Sequence, residues 1–225
     1  MRWKLLCKKR RLTGVSNLLP AFGETLEMCG IALVLAIVLG IPIGVLSYLT
    51  SGCIVCKNKI INLLVNLILN IIMSTPFVIL LVLLLPFTRL VIGTSIGPEA
   101  ASVPLGIVAI AFYARLVESN LHGVDKGVIE ASVAMGATWF QIVTNVLLPE
   151  AFSGMIRGLT VLAVTLVGYS AMAGIVGGGG VGDLAIRFGY YRYQTDIMII
   201  TVLLLIGLVQ IIQTFGEKIS KKVQK

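Results

Sequence analysis

Apolar residues in this chain fall into long runs, with little of the strict alternation of a half-buried strand. Five runs stand out, from about Met28 to Leu49, Ile60 to Phe87, Ala100 to Ala114, Leu159 to Val176 and Ile197 to Phe215. With the ends of the third extended, each meets the need of a membrane-crossing helix. That need is roughly 20 apolar residues, since a helix rises about 1.5 Å per residue and the hydrocarbon layer is about 30 Å thick. The pattern predicts an all-α polytopic membrane protein with about five transmembrane helices. Pro76, Pro86 and Pro104 interrupt the second and third runs. The first run is longer than the apolar stretch of a secretory signal and lacks its small-residue cleavage site, so it is expected to remain as a helix.

Composition agrees. Hydrophobic residues make up 57% and charged residues 12%, against about 25% charged in a soluble domain. The net charge of +8 is concentrated in Arg2, Lys4, Lys8, Lys9, Arg10 and Arg11 and in the tail Lys218, Lys221, Lys222 and Lys225. Both clusters flank spans, where anionic headgroups attract basic residues, and no nucleic acid is needed to explain them. Of Cys7, Cys29, Cys53 and Cys56, only the Cys53-x-x-Cys56 spacing is suggestive. A zinc site would need two more ligands and His122 is the only histidine, so incidental thiols are the expected reading.

Asp, Glu, Lys, Arg and His are absent from the five apolar cores away from their ends, which leaves a proton relay without members. Sodium coupling through backbone carbonyls stays open. No Gly-Lys is followed by Ser or Thr, so the chain carries no Walker A sequence. Gly177 to Gly182 matches G-x-G-x-x-G, but it follows an apolar span and does not join a strand to a helix. It is expected to be a glycine-rich break. Asn62, Asn66, Asn70 and Ser74 recur every four residues along one helix face, either as interhelical hydrogen-bonding groups or as the wall of a wet pathway. Gly40-x-x-x-Gly44, Gly154-x-x-x-Gly158 and Gly174-x-x-x-Gly178 indicate close helix contacts.

The connector between the third and fourth runs, residues 121–157, is too long and too patterned to be a plain loop. Val128 to Met135 has helical character and stops at Gly136, a residue suited to the left-handed position that ends a helix. Thr138 and Gln141 have capping-box spacing. Trp139, Ile142, Val143, Val146 and Leu147 then form an apolar stripe, and Pro149 is expected to close the unit.

Glu130-Ala131-Ser132, then Gly136, then Val146-x-Leu148-Pro149, resembles the EAA motif of ABC importer permeases: E-A-A, three residues, G, nine residues, I-x-L-P. Ser132 and Val146 are its two conservative departures. The resemblance narrows to the methionine-importer permease family through Glu24-Thr25-Leu26-x-Met28, Pro86-Phe87-Thr88-Arg89-x-x-x-Gly93-Thr94-Ser95-Ile96-Gly97 and Leu166-Val167-Gly168-Tyr169-Ser170-Ala171-Met172. It covers roughly Gly23 to Lys218. It implies a type I ABC importer fold with a basic amino-terminal segment (1–22), a transmembrane domain (23–218) and a basic tail (219–225).

In such a family the short helix couples to a cytoplasmic ATPase, a role that would fall to Glu130, Ala131, Ser132, Gly136, Ala137, Leu148 and Pro149. The implied assembly, in a bacterial plasma (inner) membrane, has two copies of this chain, two ABC ATPase subunits that bind ATP and Mg, and an extracytoplasmic methionine-binding protein. This chain would itself hold no cofactor, metal or nucleotide. It would form the path for L- and D-methionine, with Tyr169, Ser170 and Met172 at a gate and Asn70 and Ser74 along the path. Core packing is the competing reading for the gate residues.

With the coupling loop inside, five spans place Lys57, Lys59, Arg115, Lys126, Arg157, Lys218, Lys221, Lys222 and Lys225 in the cytoplasm. Arg2, Lys4, Lys8, Lys9, Arg10, Arg11, Arg89, Arg187 and Arg192 then lie outside, nine against nine, where the positive-inside rule expects an excess within. The amino-terminal cluster opposes this topology. An ion-coupled secondary amino-acid transporter and a non-transporting membrane scaffold are the alternatives; the first draws on the Asn stripe and the glycine breaks, and the second leaves the EAA spacing without purpose.

Overall fold

A computed structural model of the chain describes residues 17–51 and 59–223, and every regular element among them is helical. Helix α1 runs Leu18–Thr50, α2 Lys59–Ser74, α3 Phe77–Ile92, α4 Pro98–His122 and α5 Lys126–Ala134. A single run, α6, then covers Trp139–Val176. A short helix α7, Gly180–Leu184, widens into a π turn over Ala185–Tyr190, and α8 spans Thr195–Val223. The amino-terminal basic cluster, Cys7, Cys53, Cys56, Lys57 and Lys225 lie outside the described residues.

Helices α1, α4, α6 and α8 are each long and apolar enough to cross a membrane, and α2 with α3 makes a fifth crossing if the two form one broken span. The second run is therefore not one helix. It breaks after Ser74, and α2 and α3 are bent by 111°. Pro76 has no N–H to donate and disfavours helical geometry in Thr75 before it. Its own backbone is extended (φ −54°, ψ 132°), and it caps α3 by accepting the Ile79 and Leu80 amides at 2.9 and 3.0 Å. Pro86 and Pro104, by contrast, sit inside α3 and α4 without ending them.

Pro149 does not close the helical unit as expected; α6 passes through it. A π turn over Val143–Leu147 lies just ahead, with the Leu148 amide bonded to the carbonyl of Val143, five residues back. The same device recurs in α1, where a π turn over Ala36–Gly40 precedes Pro42. A proline ring collides with the carbonyl four residues earlier, and a widened turn at that point leaves it room. α1 also starts ten residues before the expected Met28, because Pro20 falls in the first turn, where no helical N–H is needed.

The chain divides into two compact units: residues 1–32, 76–106 and 163–212, and residues 33–75, 107–162 and 213–225. In the first, Ala21, Leu184, Phe188 and Ile197 form an apolar cluster against which Leu18 packs. The glycine-rich break belongs here. Gly177, Gly179 and Gly180 have φ of 87°, 79° and 81°, conformations in which a side chain would be strained. Glu24 Oε2 accepts the Gly180 amide at 2.7 Å and Thr25 Oγ1 accepts the Val181 amide at 2.9 Å, so α1 caps α7. In the second unit, Leu69, Ala111 and Ala114 join α2 to α4, with Ile43, Val65 and Ile72 packed around them.

The paired glycines mark close approaches, as expected. A Cβ on Gly44 would lie 2.6 Å from the Ala114 carbonyl oxygen and 2.8 Å from Val117 Cβ, and one on Gly40 3.2 Å from Tyr113. Gly154 and Gly158 face Asn120 and Leu116, and Gly174 and Gly178 face the α7 backbone and Ala101. Burial follows: 67% of the most apolar stretch of α4 is buried and 11% of that of α8, which leaves α8 largely uncovered. Gly44→Leu is expected to destabilise the protein by about 1–3 kcal/mol, seen as a lowered unfolding midpoint in detergent. Gly207→Ala, with nothing within 4 Å of the added carbon, should hold the wild-type midpoint.

Candidate functional site

As far as the start of α6, the segment after α4 folds as the spacing predicted. Asp125 caps α5, its carboxylate accepting the Gly127 amide at 2.7 Å. The helix ends in a left-handed residue, Gly136 (φ 81°), with the Gly136 amide bonded to the Val133 carbonyl and the Ala137 amide to that of Ser132. This pairing satisfies the last carbonyls of the helix. Thr138 and Gln141 form a capping box that starts α6.

Ile129 and Ser132 face inward and are buried, while Glu130, Ala131 and Val133 are exposed. The departure at Ser132 is accommodated locally: its hydroxyl donates to the Val128 carbonyl at 2.8 Å, so a small buried side chain carries no unpaired group. Gly136 is open, and Met135 beside it is 81% exposed. Of the expected apolar stripe, Ile142, Val143 and Leu147 are buried and Val146 half-buried, but Trp139 points outward. It opens the helix, ahead of the turn that packs, and with Phe140 it makes an edge-to-face pair at 6.0 Å. Val133, Met135, Trp139 and Phe140 thus add an exposed apolar surface to the small residues of the motif, and Leu148 and Pro149 lie about two turns further along α6.

The gate candidates on α6 differ in their surroundings. Tyr169 stacks on Phe77 with ring centres 4.6 Å apart, and Ser170 is buried with its hydroxyl on the Val167 carbonyl at 2.8 Å. Met172 faces outward, in line with exposed Val161, Gly168 and Ile175. These four recur at helical spacing and form an apolar stripe along α6. Asn70 and Ser74 belong to the other unit, Asn70 within hydrogen-bonding distance of Arg115 and Ser74 exposed at the end of α2.

The Asn stripe is absorbed by a network that sequence reading missed. α4 extends eight residues past the expected Ala114, which brings Arg115 and Glu118 onto a span-length helix. Arg115 Nη1 donates to Asn66 Oδ1 at 2.7 Å and to Glu118 Oε2 at 2.8 Å, and Nη2 donates to Asn70 Oδ1 at 2.6 Å. The other oxygen of the buried Glu118 accepts the Ser47 hydroxyl at 2.8 Å. Asn62 Nδ2 closes the ring on the Ser47 carbonyl at 3.1 Å and the Thr50 hydroxyl at 3.3 Å. The Arg-x-x-Glu spacing at the end of an apolar run, facing three asparagines, was the available signal. Among the described residues no group of three or more His, Cys, Asp or Glu is arranged to hold a metal ion.

The chain as a whole is similar to known transport proteins. The family described as "Binding-protein-dependent transport system inner membrane component" matches residues 31–225. The probable D-methionine transport system permease protein MetI of Vibrio cholerae is 48% identical over 206 residues, 92% of each chain. The methionine import system permease protein MetP of Bacillus subtilis is 42% identical over 180 residues, 80% of this chain and 81% of the relative. A chain of the MetNI methionine ABC transporter, solved in inward-facing conformations, superposes with a TM-score of 0.91 at 44% identity over 94% of this chain and 98% of its own. This chain therefore belongs to the family of inner-membrane permease components of binding-protein-dependent transport systems, and it has the type I ABC importer permease fold.

Proposed function

We propose that this protein is the permease subunit of an ATP-driven methionine importer in a bacterial inner membrane. It works as a homodimer with two ATPase chains and an extracytoplasmic methionine-binding protein. The observation that carries the reading is the capped helical knob of α5, with Glu130, Ala131 and Gly136 exposed at coupling-motif spacing. The chain that presents it matches methionine permeases across more than nine-tenths of its length.

The knob is suited to enter a cleft of another subunit. Its exposed residues are small around Gly136, its apolar rim includes Met135, Trp139 and Phe140, and Glu130 makes no ion pair among the described residues. Its inner face is fixed through Ile129 and Ser132, so a push on the outside is passed to the helices it joins. The small and apolar stripe of Val161, Gly168, Met172 and Ile175 on α6 suits a second copy of the chain. Gly168 has open space beside it, which allows the partner helix to come close. On this reading Met172 faces the path between the copies, where a flexible apolar side chain can repack as they part. ATP and Mg would be held by the ATPase chains. Because Asn62, Asn66 and Asn70 are committed to contacts between helices, the stripe no longer favours an ion-coupled transporter.

Labelled methionine should enter vesicles only when permease, ATPase, binding protein and ATP are all present; uptake driven by an ion gradient without the ATPase would refute the reading. Gly136→Trp places a large side chain at a left-handed position on the knob, and should lower co-purification of the ATPase at least about tenfold while the permease still inserts, an effect equal to roughly 1.4 kcal/mol or more. Met172→Ala should let methionine leak through vesicles without ATP hydrolysis. Wild-type tightness in that variant would remove Met172 from the gate.

A further inference from the structure

The ring of Ser47, Asn62, Asn66, Asn70, Arg115 and Glu118 joins three helices at the end of α4 from which the chain turns into α5. From Glu118 the chain makes less than two further turns, to His122, and then a tight reversal in which the Gly123 and Val124 amides bond to the Asn120 and Leu121 carbonyls at 3.2 and 3.3 Å. Leu121 and Val124 are buried, so the reversal is seated firmly. A displacement of α5 therefore reaches the end of α4 through this reversal, as well as the start of α6 against which α5 packs.

The chemistry of the ring fits control of register better than stability. Burying the Glu118 carboxylate carries a desolvation cost that the half-exposed Arg115 offsets only in part, and apolar side chains of similar volume often hold helices together as well or better. A planar guanidinium adds geometry. Its two terminal nitrogens meet the amide oxygens of Asn66 and Asn70, one turn apart on α2, while Glu118 fixes the same group to α4. The second oxygen of Glu118 and the carboxamide of Asn62 bind Ser47 from two sides, which brings in the end of α1. Sliding α2 along α4 by one residue would break both guanidinium contacts at once. An ammonium group, a single point charge, could keep the pair with Glu118 but not span the two asparagines.

We infer that Arg115, held by Glu118, is a positioning residue for transport: it locks α2 and the end of α1 to α4, so that movement of α5 is delivered to α2 and to the helix break at Thr75–Pro76 beyond it. The inference rests on the coupling role proposed for α5. Two variants test it in the reconstituted complex with ATPase and binding protein. Arg115→Lys keeps the ion pair, and the double variant Arg115→Met with Glu118→Met removes both charges without leaving one unpaired. In each, methionine taken up per ATP hydrolysed should fall about tenfold, within the usual range of coupling between sites, while ATP hydrolysis stays within about twofold. Unchanged stoichiometry in Arg115→Lys would overturn the inference. A proportional fall in uptake and hydrolysis would also overturn it, since lost assembly or folding gives that result. If the double variant does not co-purify, Arg115→Lys decides alone.

A second readout separates this inference from the proposed function. Spin labels at Leu63→Cys on α2 and Ser119→Cys on α4, in a background without native cysteines, should give one narrow distance in the wild type, with or without nucleotide. In Arg115→Lys the distribution should broaden; an unchanged distribution would exclude the clamp. If the wild-type complex showed no ATP-driven uptake, the proposed function would fail, and the label distances would still decide whether Arg115 sets the register.

Discussion

Lipid offers a backbone amide or carbonyl no hydrogen-bond partner, so each crossing segment has to satisfy its own polar groups as a helix. The molecule's main irregularities are places where that condition is relaxed or repaired. At Thr75–Pro76 the ladder is given up, and a new helix starts with the proline as its cap. Before Pro42 and Pro149 it is repaired with a widened turn, and the helix continues. At Gly177 to Gly180 the chain reverses, and the amides of buried Gly180 and Val181, which have no helical partner at the start of α7, are taken by Glu24 and Thr25 on α1, 156 residues away.

Close packing is the second requirement, because lipid tails compete with side chains for apolar contact and association then depends on fit. Gly40 and Gly44 let α1 reach α4 at backbone distance, and Gly154 and Gly158 do the same for α6. α4 is accordingly the most buried of the long helices, and it leads directly into α5. Polar side chains in this setting need partners, and Ser47, the three asparagines, Arg115 and Glu118 supply one another. The same six residues tie α1 and α2 to the helix that precedes α5.

The outward surfaces divide by chemistry. α8 is largely uncovered and apolar, as suits lipid, and it ends in Lys218, Lys221 and Lys222. The surface around α5 mixes small residues and a carboxylate with the exposed Trp139–Phe140 pair. The α6 stripe of Val161, Gly168, Met172 and Ile175 is apolar and contains a glycine with open space beside it.

Much was legible along the chain because it depends on local spacing. Apolar length gave four of the spans. The Gly136 stop and the Thr138–Gln141 box are contacts between residues at most five apart, so sequence patterns determine them directly. The family, too, follows from residues at fixed intervals around Glu130, Gly136 and Pro149. Only tertiary structure decided the rest. Whether a proline breaks a helix, as at Pro76, or is carried through, as at Pro149, depends on turn geometry and on the surrounding packing, neither of which is written in the proline itself. The fate of the Asn stripe turned on Arg115 and Glu118, 45 or more residues away from Asn66 and Asn70 in sequence. Spacing can show that an amide needs a partner; which residue supplies it is fixed only when the helices pack.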